Sequence, residues 1–435
     1  MKKIGVIGMG YVGIPVALAF ADAGIKTVGI DISADRVSQL NKGVYPLEGE
    51  EPGIADLLKK VQKKGNFSAS SDYSELKDAD CILICVQTPL KENKEPDHTY
   101  LKSALESVSR ILQKGTLVSI ESTIAPLTTQ TVALPILERG SGMKAGTDFY
   151  LVHCPERVTP GKLLHNLRKM SRIVGGINDA STKKALEFYA KIVEAELHPS
   201  DALSAEITKT AENSYRDMEI AFANELALIC EQLGVDAFKI RDLVNTCPFR
   251  YVHLPGIGVG GHCIPKDSWL LMYGVKGKTP TPLLKTVREI NDSMPAHTAS
   301  LVAAVLAKKG KEVKNSKIAI LGFSYLPDSD DTRSTPARVL YKFLKQAGAS
   351  LAVFDPFVHQ DSEVKLSKTL EEAVSGSDCI ILATAHTSFK SLNSASELKR
   401  IRQLLRTPCL VDGRNLFDKK LAQEAGYAFT GVGKG

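Results

Sequence analysis

Several kinds of chemistry lack their signatures in this 435-residue sequence. Its eight cysteines, at 81, 85, 154, 230, 247, 263, 379 and 409, form no Cys-x-x-Cys pair. That removes support for zinc ribbons and thioredoxin-like exchange. No block of five or more like charges is present, so no nucleic-acid-binding tail is expected. The excess of positive charge is small, 55 Lys and Arg against 49 Asp and Glu, and it is spread along the chain. A mild basic bias of this kind suits an anionic small molecule. One uncharged stretch, Ile4 to Ala21, has the length of a membrane span or a signal segment. It contains four glycines and Pro15, and reads better as a strand, a glycine turn and a helix. No targeting or membrane segment is expected. Cys81, Cys230 and Cys379 sit in apolar runs and read as buried hydrophobes of a protein kept in a reduced cytoplasm.

What is present is alternation. Apolar β-like runs at 3–10, where the strand enters a turn, and at 27–31, 81–86 and 117–120 are separated by helical patterns, which predicts a parallel sheet covered on both faces. From Ser204 to Leu233 the pattern changes to one long helix, with Ile207, Ala211, Tyr215, Met218, Phe222, Leu226, Ile229 and Leu233 at steps of three and four. Such a helix can link domains and offer a dimer surface. Lys209, Asn213 and Arg216 form a polar stripe on it that, taken alone, reads as a solvated face. Alternation returns from Lys317, and an echo links the two ends: Asp80-Cys81-Ile82-Leu83-Ile84 resembles Asp378-Cys379-Ile380-Ile381-Leu382. The predicted fold class is α/β: two Rossmann-like parallel-sheet domains joined by a helical central domain with a long helix. The expected divisions are 1–197, 198–308 and 309–435.

Two stretches carry chemistry. Gly8-Met9-Gly10-Tyr11-Val12-Gly13 follows the first strand and opens a helix, and Asp31 ends the second strand. In that context G-x-G-x-x-G is a dinucleotide fingerprint. Gly8 permits the turn, Gly10 admits the pyrophosphate, Gly13 lets helix and strand pack, and the helix N-terminus faces the phosphates. Asp31 accepts from a ribose diol and repels a 2′-phosphate, which favours NAD; Arg36 nearby pulls the other way. The second stretch runs Leu254-Pro255-Gly256-Ile257-Gly258-Val259-Gly260-Gly261-His262-Cys263-Ile264-Pro265-Lys266-Asp267. Four glycines in six residues make a loop rather than a helix or strand interior. The loop presents a thiol beside His262, Lys266 and Asp267, a setting for a nucleophile. Combined with NAD, a thiol can capture an aldehyde, carry it through a second oxidation as a thioester, and release a carboxylate.

These residues, with Gln87-Thr88-Pro89, Glu121-Ser122-Thr123, Pro155-Glu156-Arg157, Thr208-Lys209-Thr210-Ala211-Glu212-Asn213, Asp331-Thr332-Arg333 and Asp412-Gly413-Arg414, occur in the order found in the UDP-sugar 6-dehydrogenase family, which the whole chain resembles. The resemblance implies that Cys263 is the nucleophile and that Lys209 and Asn213 stabilise its oxyanion. It gives Asp267 and Thr123 water or proton handling, and Glu156 the hydrolysis of the thioester. NAD contacts fall to Gly8, Gly10, Tyr11, Val12, Gly13, Asp31, Arg36, Thr88, Lys266 and Arg333. Substrate contacts fall to Arg157, Arg250, His253, Gly260 and Arg414, with Arg250 reaching the neighbouring subunit's site. No metal is implied.

The resemblance further implies a cytoplasmic homodimer or higher oligomer that binds a UDP-sugar and neither nucleic acid nor membrane. The His262-Cys263 pair is similar to that of the N-acetylhexosamine enzymes. The first expected substrate is therefore UDP-N-acetyl-D-mannosamine, with UDP-N-acetylglucosamine and UDP-glucose as alternatives. The uronate product would feed polysaccharide synthesis. Leu326 departs from the family by standing where a lysine is common. Two more distant readings are a two-electron hydroxyacid-type dehydrogenase and an inactive nucleotide-sugar-binding protein. Cys263 and the second α/β half argue against the first, and the retained Cys263, Lys209, Asn213 and Asp267 against the second.

Overall fold

A computed structural model describes residues 2–47, 51–157 and 163–435. The chain forms two compact units, one of residues 1–212 and 269–280, the other of residues 213–268 and 281–435.

The first unit is built on eight strands: β1 (Lys3–Ile7), β2 (Lys26–Ile30), β3 (Phe67–Ser70), β4 (Cys81–Ile84), β5 (Leu117–Ile120), β6 (Tyr150–His153), β7 (Arg172–Gly176) and β8 (Leu197–Asp201). They lie in the order β3-β2-β1-β4-β5-β6-β7-β8. All neighbours are parallel except β6 and β7, where the expected parallel pattern is interrupted. β1 and β4 are buried along nearly their whole length and read as continuous apolar runs because both faces of the sheet are covered. The chain order reverses between β1 and β4, and this switch point is where such sheets hold ligands, beyond the strands' carboxyl ends. The fingerprint leaves β1 there.

The second unit holds a five-stranded, wholly parallel sheet: β9 (Lys317–Leu321), β10 (Ser350–Phe354), β11 (Cys379–Leu382), β12 (Cys409–Asp412) and β13 (Ala428–Gly431). Its order is β10-β9-β11-β12-β13, so its switch point lies between β9 and β11. The sequence echo has a structural cause. Asp80 and Asp378 each precede the strand next to the first one of their sheet. Each accepts from that first strand's opening N–H, Lys3 N at 3.1 Å and Lys317 N at 3.0 Å.

The long helix is Ala202–Leu233, and the division between the units falls within it. Its apolar side chains do not all serve the core. Ala205, Ala221, Ala223, Ala227 and Cys230 are buried, whereas Ile207, Tyr215, Phe222, Ile229 and Leu233 are exposed. Among the described residues, no helix is long and apolar enough to cross a membrane.

Candidate active site

In the first unit the fingerprint is a fitted backbone cradle. Gly8 has φ 91°, and a Cβ there would stand 2.6 Å from Cys85 O. A Cβ on Gly13 would overlap the Gly8 carbonyl, so helix Gly13–Asp22 closes on the turn only because that side chain is missing. Gly10 has open space where its Cβ would be, the room a pyrophosphate needs. Val12 occupies the N-cap position without a capping side chain; Ile14 N already donates to Gly10 O at 3.1 Å and Pro15 has no N–H, so it is the N–H end of the turn at Gly13 that faces a ligand. Asp31 is buried at the end of β2 and accepts from Met9 N at 2.8 Å and Ser33 N at 2.9 Å. Arg36 Nη1 lies 3.1 Å from its Oδ2. The residues fit NAD: a backbone anion site, space for the pyrophosphate and a ribose-accepting carboxylate in one turn. Thr88 is buried, and its hydroxyl donates to Thr123 O at 2.7 Å, which ties two of the expected site residues together.

The loop carrying Thr123 is anchored by a residue the sequence reading passed over. Glu206, fully buried on the long helix, accepts from Leu127 N at 2.6 Å, and from Thr129 N and Oγ1 at 2.7 and 2.6 Å. Burial pushes its carboxyl up to about 7 against these donors. Leu127 sits at φ 74°, a conformation that costs a branched side chain energy and needs such an anchor.

One turn along the same helix is Lys209. It is almost completely buried, which corrects the solvated-face reading for this member of the stripe. His153, at the end of β6, is fully buried. Burial foremost, aided by the Lys209 charge, pushes it down to about 3 and keeps the ring neutral. Glu156 is 9% exposed, with Oε1 accepting from Arg157 N at 2.7 Å and Oε2 paired with the Arg172 guanidinium. Arg157 is committed to an ion pair with Glu212 and donates to Ser171 O at 3.3 Å.

In the second unit the cysteine loop ends in a helix start that the sequence reading treated as loop. Helix Ile264–Tyr273 begins one residue after Cys263, whose carbonyl accepts from Lys266 N at 3.0 Å and Asp267 N at 2.9 Å. Cys263 is exposed at this N-terminus, where the helix dipole favours a thiolate. His262 contributes no charge: burial first, then Lys266 and Arg333, push it down to about 4. Asp267 is fully buried; it accepts from Asn213 Nδ2 at 2.5 Å and pairs with Lys266 Nζ at 2.7 Å.

The loop is held from behind by a polar chain. Gly256 N donates to Asn224 Oδ1 at 2.9 Å, Asn224 Nδ2 to Asn291 Oδ1 at 2.8 Å, and Asn291 Nδ2 to Asp217 Oδ1 at 2.7 Å. Arg288 Nη1 closes it on Asp217 at 2.6 Å. Pro295 lies inside the continuous helix Pro282–Ala307 and has no N–H for the Asn291 carbonyl. Gly258, at φ 121°, packs on that carbonyl, with a Cβ position 3.1 Å away.

The remaining expected residues fall as follows. Gly260 has no room for a side chain, since a Cβ would meet Tyr325 Cβ at 2.5 Å. Gly261 N donates to Arg333 O at 2.8 Å, and the Arg333 guanidinium straddles Asp331. Arg414 Nε donates to Ala383 O at 2.8 Å, and burial pushes this arginine down to about 10. Its guanidinium packs on Gly256. His253 is buried between Arg216 Nη1 at 2.6 Å and Glu219 Oε2 at 3.0 Å. Arg250 and Phe249 project into solvent, Phe249 completely. Among the described residues, no cluster of three or more His, Cys, Asp or Glu side chains is placed to hold a metal ion.

Comparison with known proteins agrees with this arrangement along the chain. Three models of the UDP-glucose/GDP-mannose dehydrogenase family match in order: the NAD binding domain over residues 2–193, the central domain over 203–293 and the UDP binding domain over 319–419. UDP-N-acetyl-D-mannosamine dehydrogenase of Pyrococcus horikoshii is 38% identical over 433 residues, covering 100% of this chain and 99% of that protein. The solved structure of the UDP-D-ManNAc dehydrogenase from that organism superposes with a TM-score of 0.93 at 37% identity, covering 100% of both chains. That of NDP-N-acetyl-D-galactosaminuronic acid dehydrogenase from Methanosarcina mazei Go1 gives 0.89 at 41%, covering 100% of this chain and 95% of that one. The chain belongs to the UDP-glucose/GDP-mannose dehydrogenase family and is an NAD-dependent UDP-sugar dehydrogenase.

Proposed function

We propose that the protein oxidises the 6-hydroxyl of UDP-N-acetyl-D-mannosamine to the carboxylate, through a thiohemiacetal and a thioester on Cys263. The observation that carries this reading is an exposed cysteine at a helix N-terminus, on a glycine loop, in a chain that also has an NAD cradle. NAD, when bound, accepts one hydride in each of the two oxidations. Between them the Cys263 thiolate adds to the aldehyde carbon. Lys209 and Asn213, four residues apart on one helix face, stabilise the resulting oxyanion. Asp267 orients Asn213 and, with Thr123, handles the protons. After the second oxidation Cys263 carries the thioester, and Glu156 takes a proton from the water that hydrolyses it. Arg157, Arg250, His253, Gly260 and Arg414 bind the substrate, and Tyr11, Thr88, Lys266 and Arg333 join the fingerprint in holding NAD.

The names of the relatives support the choice of N-acetylhexosamine. The galactosaminuronate dehydrogenase, at 41% identity, makes the C2/C4 epimer of the substrate the specific rival. Steady-state assays with UDP-N-acetylmannosamine, UDP-N-acetylglucosamine, UDP-N-acetylgalactosamine and UDP-glucose test the assignment. The highest kcat/KM is expected for the first; a higher value for another overturns it.

We also propose a domain division of 1–197, 198–308 and 309–435, supported by the three family matches, and a cytoplasmic homodimer. Tyr215, Phe222 and Ile229 are exposed and recur every seven residues on the long helix, the repeat of a helix–helix seam. Phe222→Glu is expected to yield monomers in light scattering. A dimer that persists in this variant contradicts the interface.

A further inference from the structure

Beneath Glu156 lies a buried charge that the reaction as described does not use. Arg172 opens β7, which runs antiparallel to the strand leading into Glu156. Its side chain is 2% exposed. One terminal nitrogen pairs with Glu156 Oε2; the other lies 3.2 Å from Glu121 Oε2 and 3.8 Å from Cys154 Sγ. The Tyr189 ring covers the guanidinium at 5.0 Å, and the Tyr189 hydroxyl hydrogen-bonds Glu121 and lies 2.7 Å from Ser119 Oγ. Glu156 N donates to Glu121 O at 3.3 Å, so the two carboxylates are tied through backbone as well as through the arginine.

One cation shared by two buried carboxylates is an unusual choice for a merely structural role, since a single buried pair already costs much desolvation. It is a natural choice for setting how firmly one of them holds a proton. We propose that Arg172 is a positioning residue for hydrolysis of the Cys263 thioester: it fixes the Glu156 carboxylate, while Glu121 competes for the same guanidinium. The inference rests on the role given to Glu156 above.

In that step one proton of water passes to Glu156 and the water oxygen bonds to the thioester carbon. The C–S bond then breaks, with its electron pair left on Cys263 Sγ. The Glu156 proton returns to the thiolate, and the product acid releases its own proton to solvent. Arg172 stays protonated throughout. It supports Glu156 most strongly when Glu156 is charged, and yields toward Glu121 when Glu156 holds the proton.

The titratable groups around Arg172 are Glu121 after β5, Cys85 after β4, Cys154 and Glu156 after β6, and Tyr189 at the end of helix Asp179–Tyr189. Burial pushes the Cys85 and Cys154 thiols and the Tyr189 hydroxyl up, Cys154 to about 12, so all three stay protonated at neutral pH. Burial pushes Glu121 up despite Arg172 and Tyr189.

The test uses the full-length enzyme with NAD and UDP-N-acetyl-D-mannosamine, or whichever panel sugar it turns over. Rapid-quench intact mass follows the covalent adduct on Cys263, and stopped-flow absorbance follows NADH. Arg172→Lys keeps a charge but loses the fork. It is expected to leave the NADH burst intact, slow the steady state about tenfold to a hundredfold, and accumulate the adduct. Glu121→Gln keeps the shape and removes the competitor. It is expected to move the acid limb of hydrolysis about one pH unit lower, because Arg172 then serves Glu156 alone.

Glu156→Gln separates the two claims. If it accumulates the adduct and Arg172→Lys does not, the role of Glu156 stands and the Arg172 inference falls. If Glu156→Gln accumulates none, the role of Glu156 falls first. Should Arg172→Lys fail to fold, an unmoved acid limb in Glu121→Gln overturns the inference by itself.

Discussion

The two α/β halves share a frame and differ in what they leave open. Each first strand is followed by a glycine at positive φ, Gly8 at 91° and Gly322 at 87°. Each glycine N–H bonds to the second strand, Gly8 to Ile30 O and Gly322 to Phe354 O, both at 2.8 Å. The aspartate after that second strand accepts the next N–H in each half: Asp31 from Met9 at 2.8 Å, Asp355 from Phe323 at 2.6 Å. Each aspartate also accepts from the N–H two residues on, Ser33 at 2.9 Å and Phe357 at 2.8 Å; beyond that the halves diverge. Asp31 has a half-exposed arginine beside it and a helix starting at Gly13. Asp355 is sealed by His386, itself fully buried, with Nε2 2.9 Å away, and the following helix starts only at Pro336. One frame keeps its carboxylate beside a helix start, the arrangement proposed above to hold NAD. The other has turned the same carboxylate into a structural strut, which frees the intervening segment, Asp331 and Arg333 included, to support the cysteine loop.

The sharpest way to break this comparison is at the glycines. Gly13→Val forces a side chain into the Gly8 carbonyl, and NAD affinity is expected to fall more than a hundredfold while UDP binding, read by calorimetry, stays within about twofold. Loss of both ligands together would mean that the halves are not independent in this sense. Next come the paired aspartates. His386→Ala removes the side-chain partner of the buried Asp355, which keeps its backbone donors, and is expected to cost about 1.5–3 kcal/mol in denaturant unfolding. Asp31→Asn is expected to change stability by less than about 1 kcal/mol, yet raise the KM for NAD about tenfold. Equal stability losses would erase the distinction.

A smaller effect concerns pH. His153 falls to about 3 when folded, from an ordinary 6.5, so the unfolded chain binds the extra proton between those values. Its contribution is fully present above pH 6.5 and is lost as pH falls toward 3. His153→Leu is therefore expected to flatten the decline of Tm between pH 6.5 and 4.5; an unchanged slope counts against a buried neutral ring. Last is the strand-opening pair, where the difference between the two halves is the smallest. Asp378 is opposed by burial, but Arg406, the Lys317 N–H and Thr407 hold it well below the usual carboxylate range. Asp378→Asn is expected to cost about 2 kcal/mol, more than Asp80→Asn, since Asp80 accepts from the backbone N–H groups of Lys2 and Lys3.

Much of this was legible in the residues. Alternation gave both sheets, because strands covered on two faces must be apolar throughout. The tight turn after β1 was legible from its glycines, because the backbone at Gly8 and Gly13 leaves no room for a side chain. The antiparallel β6–β7 pair was not legible, since Arg172–Gly176 reads alike in either direction. Nor was the fate of the long helix. Its periodicity reported every apolar side chain, but only packing separates the buried alanines from the exposed Tyr215, Phe222 and Ile229. Arg172 escaped because an arginine opening a strand ordinarily reads as a solvated edge, and its partners Glu121, Glu156 and Tyr189 are distant in sequence. The N-cap position of Cys263 was hidden by Pro265, which is well tolerated in a helix's first turn but reads as a continuation of the loop.

The central claim is that one thiol carries the sugar carbon through both oxidations. Counting NADH formed against UDP-N-acetyl-D-mannosamine consumed, with the product identified by mass, tests it most directly. The account predicts two NADH and a uronate for every sugar; one NADH and a released aldehyde would contradict it.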